Sequence, residues 1–350
     1  MMYLILAWLW WPLCQWWTQR RRATPPQKIL LLQTAKIGDM VCTLPLIEAI
    51  AAALPATGSI SLVHAPLTTP LIAHHPALTR RITWSHAQLR GWKGRWRVLR
   101  LLWSAQIDTV IVASPSLLWL TIPYWLGVTR RIAILPPQGG RTWRWGAKYL
   151  THAQPHDIQR LLLDEWHHLL APLGMQVGHH ATVYPRPLTD EKLALTATAR
   201  VGHPVLGLGI SSANPLKELQ ESQLLTLIQA SLNRWPTLQI ILTGSQHDAE
   251  RAARLHATVG HHSGVHTATG SYTLDTLPYL LRALSVYVGV DSGITYLADA
   301  CAVPVISLTG PTNPHEQRPL HPEAQLVINR LPCVPCAFVF NAPRHCHLGT

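Results

Sequence analysis

The chain has 350 residues, more than one hydrophobic core usually organises, so its length predicts two domains. Hydrophobic residues make up 48% of the sequence, which is ample for burial. Six cysteines, three of them crowded into the last twenty residues, exclude a secreted disulfide framework and indicate a reducing compartment.

The net charge of +12 is confined to the first half of the chain. Residues 1–186 carry 19 Lys and Arg against 6 Asp and Glu, a net of +13, whereas residues 187–350 carry 10 against 11, a net of −1. A basic field limited to one domain favours an anionic partner there. The candidates are nucleic acid, a membrane surface and an acidic carbohydrate.

The N-terminal segment is rich in tryptophan and arginine. Residues 1–17 are apolar, contain five tryptophans, and are followed by three arginines at residues 20–22. The run is shorter than the roughly 20 apolar residues that span a bilayer, and Pro12 interrupts it. A signal peptide carries its positive charge before the apolar core, the reverse of this order. We expect residues 1–27 to lie on the inner leaflet, with a membrane span or a packing arm as alternatives.

Residues 29–53 predict a strand, a sharp turn and a helix, with one acidic side chain in the turn. Residues 29–32 are an unbroken apolar run, typical of a strand buried on both faces in a parallel sheet. Apolar residues spaced by three after Gly38 predict a helix to about Leu54. Gly38 would permit the tight turn, and Asp39 would either cap the helix or face the crevice beyond the strand.

The rest of the first half alternates strand-like and helix-like segments. Apolar runs at residues 60–63 and 110–113 follow helical stretches, which predicts βαβ units and a parallel sheet. Residues 156–174 predict an amphipathic helix closed by Gly174.

Basic residues and tryptophans are interleaved at two places in this half. Residues 80–103 contain seven Lys and Arg and four Trp, and a second cluster with Arg141 and Arg144 follows two glycines at residues 139–140. One interpretation is a solvated helix face whose tryptophans turn inward, and the other is a nucleic-acid surface. Because the chain has no recognisable nucleic-acid-binding motif, we do not expect nucleic acid as a partner.

The second half repeats one layout, a strand that ends in a polar loop and then opens a helix. The predicted strands are residues 204–210, 238–242, 286–290 and 303–308. Helix N-termini present unpaired N–H groups and partial positive charge, so these loops suit the phosphates of a nucleotide diphosphate. The pair Gly207 and Gly209 is a weak signal, because the third glycine of the dinucleotide fingerprint is absent.

Two charged residues follow these strands. Lys217 lies after the first loop, where a cation could neutralise a leaving diphosphate; the alternative is a surface lysine at a helix start. Asp291 directly follows a buried strand, where it either caps the next helix or shares a cleft with Asp39. The tail has Cys333, Cys336 and Cys346, but it lacks paired Cys-x-x-Cys knuckles, so we predict no metal site.

Two motifs resemble the signatures of one enzyme family. KIGDMVCTLPL at residues 36–46 is similar to the IGD-x-(V/L)-x-T-x-P signature of glycosyltransferase family 9, the lipopolysaccharide heptosyltransferases. DSG at residues 291–293, followed by LADACAVPVISLTGPTNP, looks like the second signature of that family. The CVPC tail also resembles a cysteine-bearing tail of many members. The resemblance extends from Lys28 to the end of the chain.

The resemblance implies an α/β GT-B fold, two Rossmann-like domains facing each other across a central cleft. It also implies inverting, metal-independent transfer with no cofactor. Residues 28–186 would bind the acceptor, residues 187–330 the nucleotide sugar, and residues 331–350 would form a Cys-containing tail. The typical donor is ADP-heptose, and the acceptor is the anionic core of lipopolysaccharide at the inner-membrane surface.

Residue roles follow by position in the motifs. The resemblance implies that Asp39 is the general base and that Lys217 is the cation on the donor phosphates. The donor-binding residues implied are Ser211, Ser212, Lys217, Gly244, Asp248, Asp291, Ser292 and Gly293, with Asp248 at the ribose. The acceptor-binding residues expected are Gly38, Arg141 and Arg144.

Some positions depart from the family pattern. Tyr296 replaces the usual histidine, Asp299 follows in the same helix, and Lys217 precedes Glu-Leu-Gln in place of an aromatic residue and a proline. Transfer of another sugar to another glycan is therefore one alternative. A nucleotide-sugar epimerase and a non-catalytic, membrane-associated nucleotide-sugar-binding protein are the others. An epimerase needs no basic acceptor domain, and intact Asp39, Lys217 and Asp291 argue against loss of turnover.

Overall fold

The computed structural model describes residues 25–85, 87–187 and 203–346. The chain forms two compact units, divided between Ala181 and Thr182, except that Pro70–His74 groups with the second unit. The apolar and arginine-rich residues 1–24, which carry the prediction of a membrane-interface segment, lie outside the described residues. The domain limits at residues 27, 186 and 330 stay predictions.

The first unit is built on six parallel strands. They are β1 (Lys28–Gln33), β2 (Ser59–His64), β3 (Arg80–Thr83), β4 (Thr109–Val112), β5 (Arg130–Leu135) and β6 (His152–Pro155). The helices are α1 (Ile37–Val41), α2 (Leu44–Ala53), α3 (Thr69–Ile72), α4 (Gly91–Ser104), α5 (Leu117–Trp125), α6 (Arg141–Ala147) and α7 (Leu162–Leu170). The strand order is β3-β2-β1-β4-β5-β6, so the direction of winding switches between β1 and β4.

The second unit has the same plan. Its strands are β7 (Val205–Gly209), β8 (Gln239–Thr243), β9 (Val265–Thr267), β10 (Val286–Val290), β11 (Val305–Thr309) and β12 (Gln325–Ile328). The helices are α8 (Glu221–Arg234), α9 (Ala249–Thr258), α10 (Leu277–Arg282) and α11 (Gly293–Ala300). The order β12-β11-β10-β7-β8-β9 is the same doubly wound order, with its switch between β7 and β10. The prediction of two Rossmann-like α/β halves is confirmed.

Seven of the eight inner strands form where the sequence predicts them. The side chains of Ile29, Leu30, Leu31 and Leu32 are fully buried, because β1 lies between β2 and β4 with helices on both faces. The predicted strands at residues 60–63, 110–113, 204–210, 238–242, 286–290 and 303–308 appear as β2, β4, β7, β8, β10 and β11.

The predictions missed all four edge strands, β3, β6, β9 and β12, and also β5. Edge strands are half exposed and lack the continuous apolar run that marks a central strand. β5 was not predicted because it begins with two arginines, Arg130 and Arg131, which are unusual in a buried strand. Arg131 is nonetheless buried, because its guanidinium donates to the backbone carbonyls of Tyr149, at 2.6 Å, and Val128, and lies 5.2 Å from the ring of Tyr124.

Two helix predictions need correction. The helix expected after Gly38 is broken into α1 and α2, because Pro45 lacks an N–H and is accommodated only in the first turn of a new helix. The helix predicted at residues 156–174 begins at Leu162, and residues 156–161 are irregular. It does close at Gly174, whose φ of 67° suits glycine. Within the described ranges, no helix is long and apolar enough to cross a bilayer.

Buried histidines in the first unit make stability depend on pH. Burial, together with the charge of nearby Arg81, lowers the pKa of His75 from its ordinary 6.5 to about 4. Between these pH values His75 is therefore protonated in the unfolded chain and neutral in the folded chain. The unfolding free energy is therefore unaffected by His75 above about pH 6.5, and it decreases as the pH falls from 6.5 toward 4.

We predict that His75→Gln will flatten the fall of unfolding free energy between pH 6.5 and 5. One proton taken up on unfolding corresponds to a slope of about 1.4 kcal/mol per pH unit. Denaturant melts at several pH values measure this slope. The neighbouring His74 is exposed, so His74→Gln should retain the wild-type slope. Equal slopes for His75→Gln and wild type would contradict the prediction.

Candidate functional site

An ion pair lies at the switch point of the second sheet. β7 and β10 are hydrogen-bonded neighbours, and the chain leaves their carboxyl ends in opposite directions. Lys217 comes from the loop after β7 and Asp291 from the end of β10, and the lysine ammonium contacts the carboxylate oxygen Oδ2. The side chains are 18% and 7% exposed, so the pair is largely removed from solvent.

Asp291 also accepts two hydroxyl hydrogen bonds. The Tyr296 hydroxyl on α11 donates to Oδ1, and Thr312 Oγ1, in the loop after β11, donates to Oδ2 at 2.7 Å. The carboxylate therefore joins three segments of the chain. Ser292, and not Asp291, is the N-cap of α11, so the interpretation of Asp291 as a helix cap is wrong.

Sequence reasoning missed both hydroxyl partners. Tyr296 was identified from the sequence only as a departure from the family's histidine. Tyr296 follows Asp291 by five positions and lies in the first turn of α11, so this short separation was the signal for the contact. Thr312 belongs to the Gly-Pro-Thr of the second motif, and no spacing rule links it to Asp291.

The loop that carries Lys217 is held from both sides. Asn214 caps the short 3₁₀ turn Pro215–Lys217 by accepting the Leu216 N–H at 3.2 Å. The Asn214 side-chain amide also donates to the carbonyl of Pro343 in the C-terminal tail at 2.9 Å. Lys217 therefore ends a fixed turn before α8, and the alternative of a surface lysine at a helix start does not describe it.

Ser212 and Ser211 contact acidic residues of the same unit. The Ser212 N–H donates to Glu218 Oε1 at 2.9 Å, and Glu218 Oε2 accepts from Arg251 on α9 at 3.0 Å. Ser211 hydrogen-bonds to the carboxylate of Asp248. Glu218 was not predicted as a site residue, yet it orders the Ser211–Ser212 loop against α9.

Asp248 lies at the loop after β8. Burial alone would raise its pKa, but hydrogen bonds from Ser245 and Ser211 and the charge of Arg251 outweigh burial and hold the pKa of Asp248 below its usual value. Its Oδ2 accepts the Ser245 N–H and hydroxyl, each at 2.7 Å. A Cβ at Gly244 would come within 2.9 Å of that oxygen, so glycine makes room for the carboxylate.

The glycines of β7 have a packing role. A Cβ at Gly207 would approach the Leu284 side chain to 2.4 Å, and one at Gly209 would approach the Tyr287 hydroxyl to 2.5 Å. Burial raises the pKa of Tyr287 to about 12, and its hydroxyl lies 3.3 Å from Thr243 Oγ1. Packing of Leu284 and Tyr287 against β7 thus explains the Gly-x-Gly pattern.

The N-terminus of α11 begins beside Asp291. Ser292 has extended backbone, and its hydroxyl lies 3.1 Å from Thr295 Oγ1. Helical backbone then starts at Gly293. The first N–H groups of α11 and the Lys217 ammonium provide positive charge from two different elements, which suits an anionic group such as a diphosphate.

The C-terminal tail supports the loop that carries Thr312. The N–H groups of Cys336 and Ala337 both donate to the Pro311 carbonyl at 2.9 Å, and the Asn313 N–H donates to the Ala337 carbonyl at 3.0 Å. Burial and neighbouring thiols raise the pKa of Cys336. Across residues 25–346, apart from the undescribed gaps, no group of three or more His, Cys, Asp or Glu is arranged to hold a metal ion.

Asp39 belongs to the first unit, at the third position of α1. Its carboxylate accepts the backbone N–H of Lys36, the N-cap residue, at 3.2 Å. Thr43 Oγ1 donates to the Asp39 carbonyl at 2.6 Å, and Gln33 Nε2 donates to Thr43 Oγ1 at 2.9 Å. The end of β1 is thereby tied to α1, and Asp39 has a fixed place at the switch point of the first sheet.

This geometry corrects two details of the sequence interpretation. The N-cap is Lys36, so Asp39 caps the helix from inside its first turn and is not itself the N-cap. Gly38 is the second helical residue and does not form the predicted sharp turn. Gln33 and Thr43 were missed as supports of the turn, although Thr43 is part of the first motif.

Arg141 and Arg144 are exposed on α6. This helix follows β5, and in a parallel sheet the carboxyl ends of β1 and β5 lie at one edge. The two arginines therefore begin at the same edge of the first sheet as Asp39.

Comparison with known proteins identifies the family. The profile of the family described as "Glycosyltransferase family 9 (heptosyltransferase)" matches residues 95–342. The chain is 28% identical over 328 residues to lipopolysaccharide heptosyltransferase 1 of Pseudomonas aeruginosa, covering 88% of this chain and 86% of that protein.

Solved structures agree on the fold. ADP-heptose lipopolysaccharide heptosyltransferase II of E. coli superimposes with a TM-score of 0.67 and 19% identity, covering 86% of this chain and 90% of that chain. E. coli heptosyltransferase WaaC with ADP-2-deoxy-2-fluoro heptose superimposes with a TM-score of 0.61 and 20% identity, covering 88% and 94%. The predicted GT-B fold is confirmed.

We predict energetic coupling between Lys217 and Asp291. Lys217→Met or Asp291→Asn should each destabilise the protein by on the order of 1–3 kcal/mol, because each leaves a mostly buried polar partner unsatisfied. The double variant should lose less than the sum of both, since the second change removes the orphaned group. Urea unfolding of the four proteins measures the coupling.

The exposed pair Arg254 and Glu221, 3.3 Å apart with side chains 57% and 37% exposed, is a control from the same unit. Its cycle with Arg254→Met and Glu221→Gln should give a coupling of about 0–1 kcal/mol. Strictly additive effects at Lys217 and Asp291 would show that the pair is not a stabilising contact.

Proposed function

Because the chain belongs to glycosyltransferase family 9, we propose that it transfers a heptose from ADP-heptose to an anionic lipopolysaccharide-core acceptor. The transfer inverts the anomeric centre and uses no metal ion. The name of the P. aeruginosa relative and the ADP-heptose analogue bound to E. coli WaaC support this choice of donor and acceptor class. An acceptor of this kind is anchored in lipid, so the enzyme works at the inner-membrane face.

The observation that carries the proposal is the Lys217–Asp291 pair at the switch point of the second sheet. Ligands of doubly wound sheets bind beyond the strand ends at this point. An ammonium has three N–H donors, and Asp291 accepts only one of them. The other two are available to the oxygens of a diphosphate, while Asp291 keeps the ammonium in place.

Further donor contacts follow from the neighbouring loops. The N-terminus of α11 at Ser292 and Gly293 would bind the diphosphate with its backbone N–H groups. The loops of Ser211, Ser212 and Gly244 approach the same edge of the sheet. Asp248 would accept a ribose hydroxyl at its carboxylate, which the hydrogen bonds from Ser245 and Ser211 hold in place.

The acceptor would bind the first unit. Exposed Arg141 and Arg144 suit an acidic, phosphorylated sugar, because guanidinium groups bind phosphate with paired hydrogen bonds. Gly38 and Asp39 in the first turn of α1 would approach the acceptor hydroxyl. The net charge of +13 over residues 1–186 favours such an acceptor.

In the reaction, the Asp39 carboxylate takes the proton of the acceptor hydroxyl as its oxygen attacks the anomeric carbon. The new C–O bond forms on the face opposite the diphosphate, and the bond from the anomeric carbon to the diphosphate oxygen breaks. The electron pair leaves with ADP, whose developing charge Lys217 and the α11 N–H groups stabilise. The proton remains on Asp39 and is later released to water.

Three rival functions make different demands on the chain. An epimerase would have no use for an acceptor-binding domain, and this chain belongs to a transferase family. A binding protein without turnover would use the Asp39 carboxylate only to cap α1. Transfer of a different sugar remains the closest rival, because Tyr296 replaces the usual histidine beside Asp291.

We predict that Asp39→Asn will abolish most turnover without unfolding the protein. The asparagine oxygen can still accept the Lys36 N–H, so the melting temperature should hold, whereas kcat should fall roughly 10²–10⁴-fold because the base is lost. Transfer from ADP-heptose to a delipidated core acceptor measures kcat. Glu48→Gln on α2 is the matched control and should retain wild-type kcat. Near-normal turnover of Asp39→Asn would refute the base assignment.

We also predict that ADP, but not UDP or GDP, will raise the melting temperature. A ligand that binds only the folded state stabilises it by about 2.7 kcal/mol at 100 times its dissociation constant. Thermal unfolding with each nucleotide over a concentration series tests the donor. A shift with UDP or GDP and none with ADP would reject the ADP sugar and favour the rival donor.

A further inference from the structure

The outward face of α4 carries three exposed tryptophans that are not packed in a hydrophobic core. Trp92, Trp96 and Trp103 are 71%, 59% and 74% exposed. At about 100° per residue these positions lie within roughly a 40° arc, so they form one stripe along the helix. Large aromatic side chains normally contribute to cores. The interpretation in which the tryptophans of residues 80–103 turn inward is wrong for these three and right for Trp84, which packs on the core cluster.

The buried face of α4 lies on the opposite side of the helix. Val98, Leu101 and Leu102 are buried in the core of the first unit. The tryptophan stripe therefore points away from the sheet.

Basic side chains border this stripe. Lys93 and Arg100 lie on one side of it and Arg95 on the other, and all three are exposed. The Lys93 ammonium lies 6.0 Å from the centre of the Trp92 ring. Such a pattern, aromatic rings flanked by cations on one helix face, matches the chemistry of the lipid headgroup region.

A second helix continues the surface. On α6, Trp145 is 53% exposed, and Arg144 and Lys148 beside it are exposed. Both α4 and α6 contact α5, and all three pack inward on one cluster through residues such as Val98, Trp119 and Trp143. Because they cover the same face of the sheet, their outer sides face the same direction.

The charge of this surface has one sign. Between Glu48 and Asp157 the sequence has a single acidic residue, Asp108, which lies just before β4. Asp108 is engaged with the backbone N–H groups of Gln27 and Lys28 at 2.9 and 2.7 Å. No carboxylate is therefore available on α4, α5 or α6 to neutralise the cations.

We infer that the outer faces of α4 and α6 form a docking surface for an anionic lipid bilayer, with Trp92, Trp96 and Trp103 inserted at the headgroup level. Anionic headgroups attract the flanking cations, and the rings gain from leaving water. This surface is formed by α4 and α6, within the described residues. The inference does not rest on the donor, the acceptor or turnover.

Flotation of the full-length protein with vesicles tests this inference. The wild type should float with phosphatidylglycerol vesicles, should float far less with phosphatidylcholine vesicles, and should be released by salt. The triple variant Trp92→Ser, Trp96→Ser, Trp103→Ser should lower partitioning roughly tenfold or more. Lys93→Gln with Arg100→Gln should lower it roughly fivefold per removed cation.

Trp235→Ser is the matched control. Trp235 is 52% exposed and lies 5.6 Å from the Arg234 guanidinium, but it belongs to the second unit, whose net charge is near zero. This variant should float as the wild type does. If the triple variant fails to fold, the single variant Trp96→Ser serves, with an unchanged melting temperature as the check.

Several results would overturn the inference. Equal flotation of wild type and triple variant would assign membrane binding to another segment. Equal binding to both lipids would exclude the role of charge. If the wild type ignores vesicles but self-associates through these tryptophans in light scattering, or binds single-stranded DNA through them, the surface has a different partner.

Discussion

The second unit depends on one carboxylate that holds three segments of the chain together. Asp291 receives the Lys217 ammonium from the loop after β7, the Tyr296 hydroxyl from α11 and the Thr312 hydroxyl from the loop after β11. A largely buried carboxylate is tolerated only when such donors replace its water. These contacts fix the direction of the lysine and the start of α11, so positive charge converges at the strand ends before any ligand binds, and little reorganisation is needed when charge develops.

The surroundings of this group add rigidity from an unexpected source. The C-terminal tail donates to Pro311 through two backbone N–H groups and accepts the Asn214 amide at the Pro343 carbonyl. The Asn214 contact is on the loop that carries Lys217, and the Pro311 contacts are on the loop that carries Thr312. The tail with its three cysteines is therefore part of the framework of the second unit, and we interpret its role as support of these loops.

The sequence allowed every inner strand except β5, and both switch-point loops, to be predicted, because continuous apolar runs and polar strand ends are local patterns. Edge strands such as β3 and β12 were not predicted, because they lack a buried apolar run. The contacts of Lys217 and Thr312 with Asp291 could not be found from the sequence, because they span 74 and 21 residues. The orientation of the tryptophans of α4 could not be predicted from the sequence, for a physical reason. Composition shows that they are aromatic, but only the position of Val98 and Leu102 in the core shows which side of the helix faces water.

The central claim is that the Lys217–Asp291 pair forms the diphosphate site of the donor. Calorimetric titration of ADP and AMP into wild type and Lys217→Met tests it most directly, because the two nucleotides differ only in the β-phosphate. The account predicts that wild type binds ADP at least roughly tenfold more tightly than AMP, consistent with a charged hydrogen bond to the second phosphate. In Lys217→Met the two affinities should become similar, while AMP binding stays as in wild type. Unchanged preference for ADP in the variant would contradict the account.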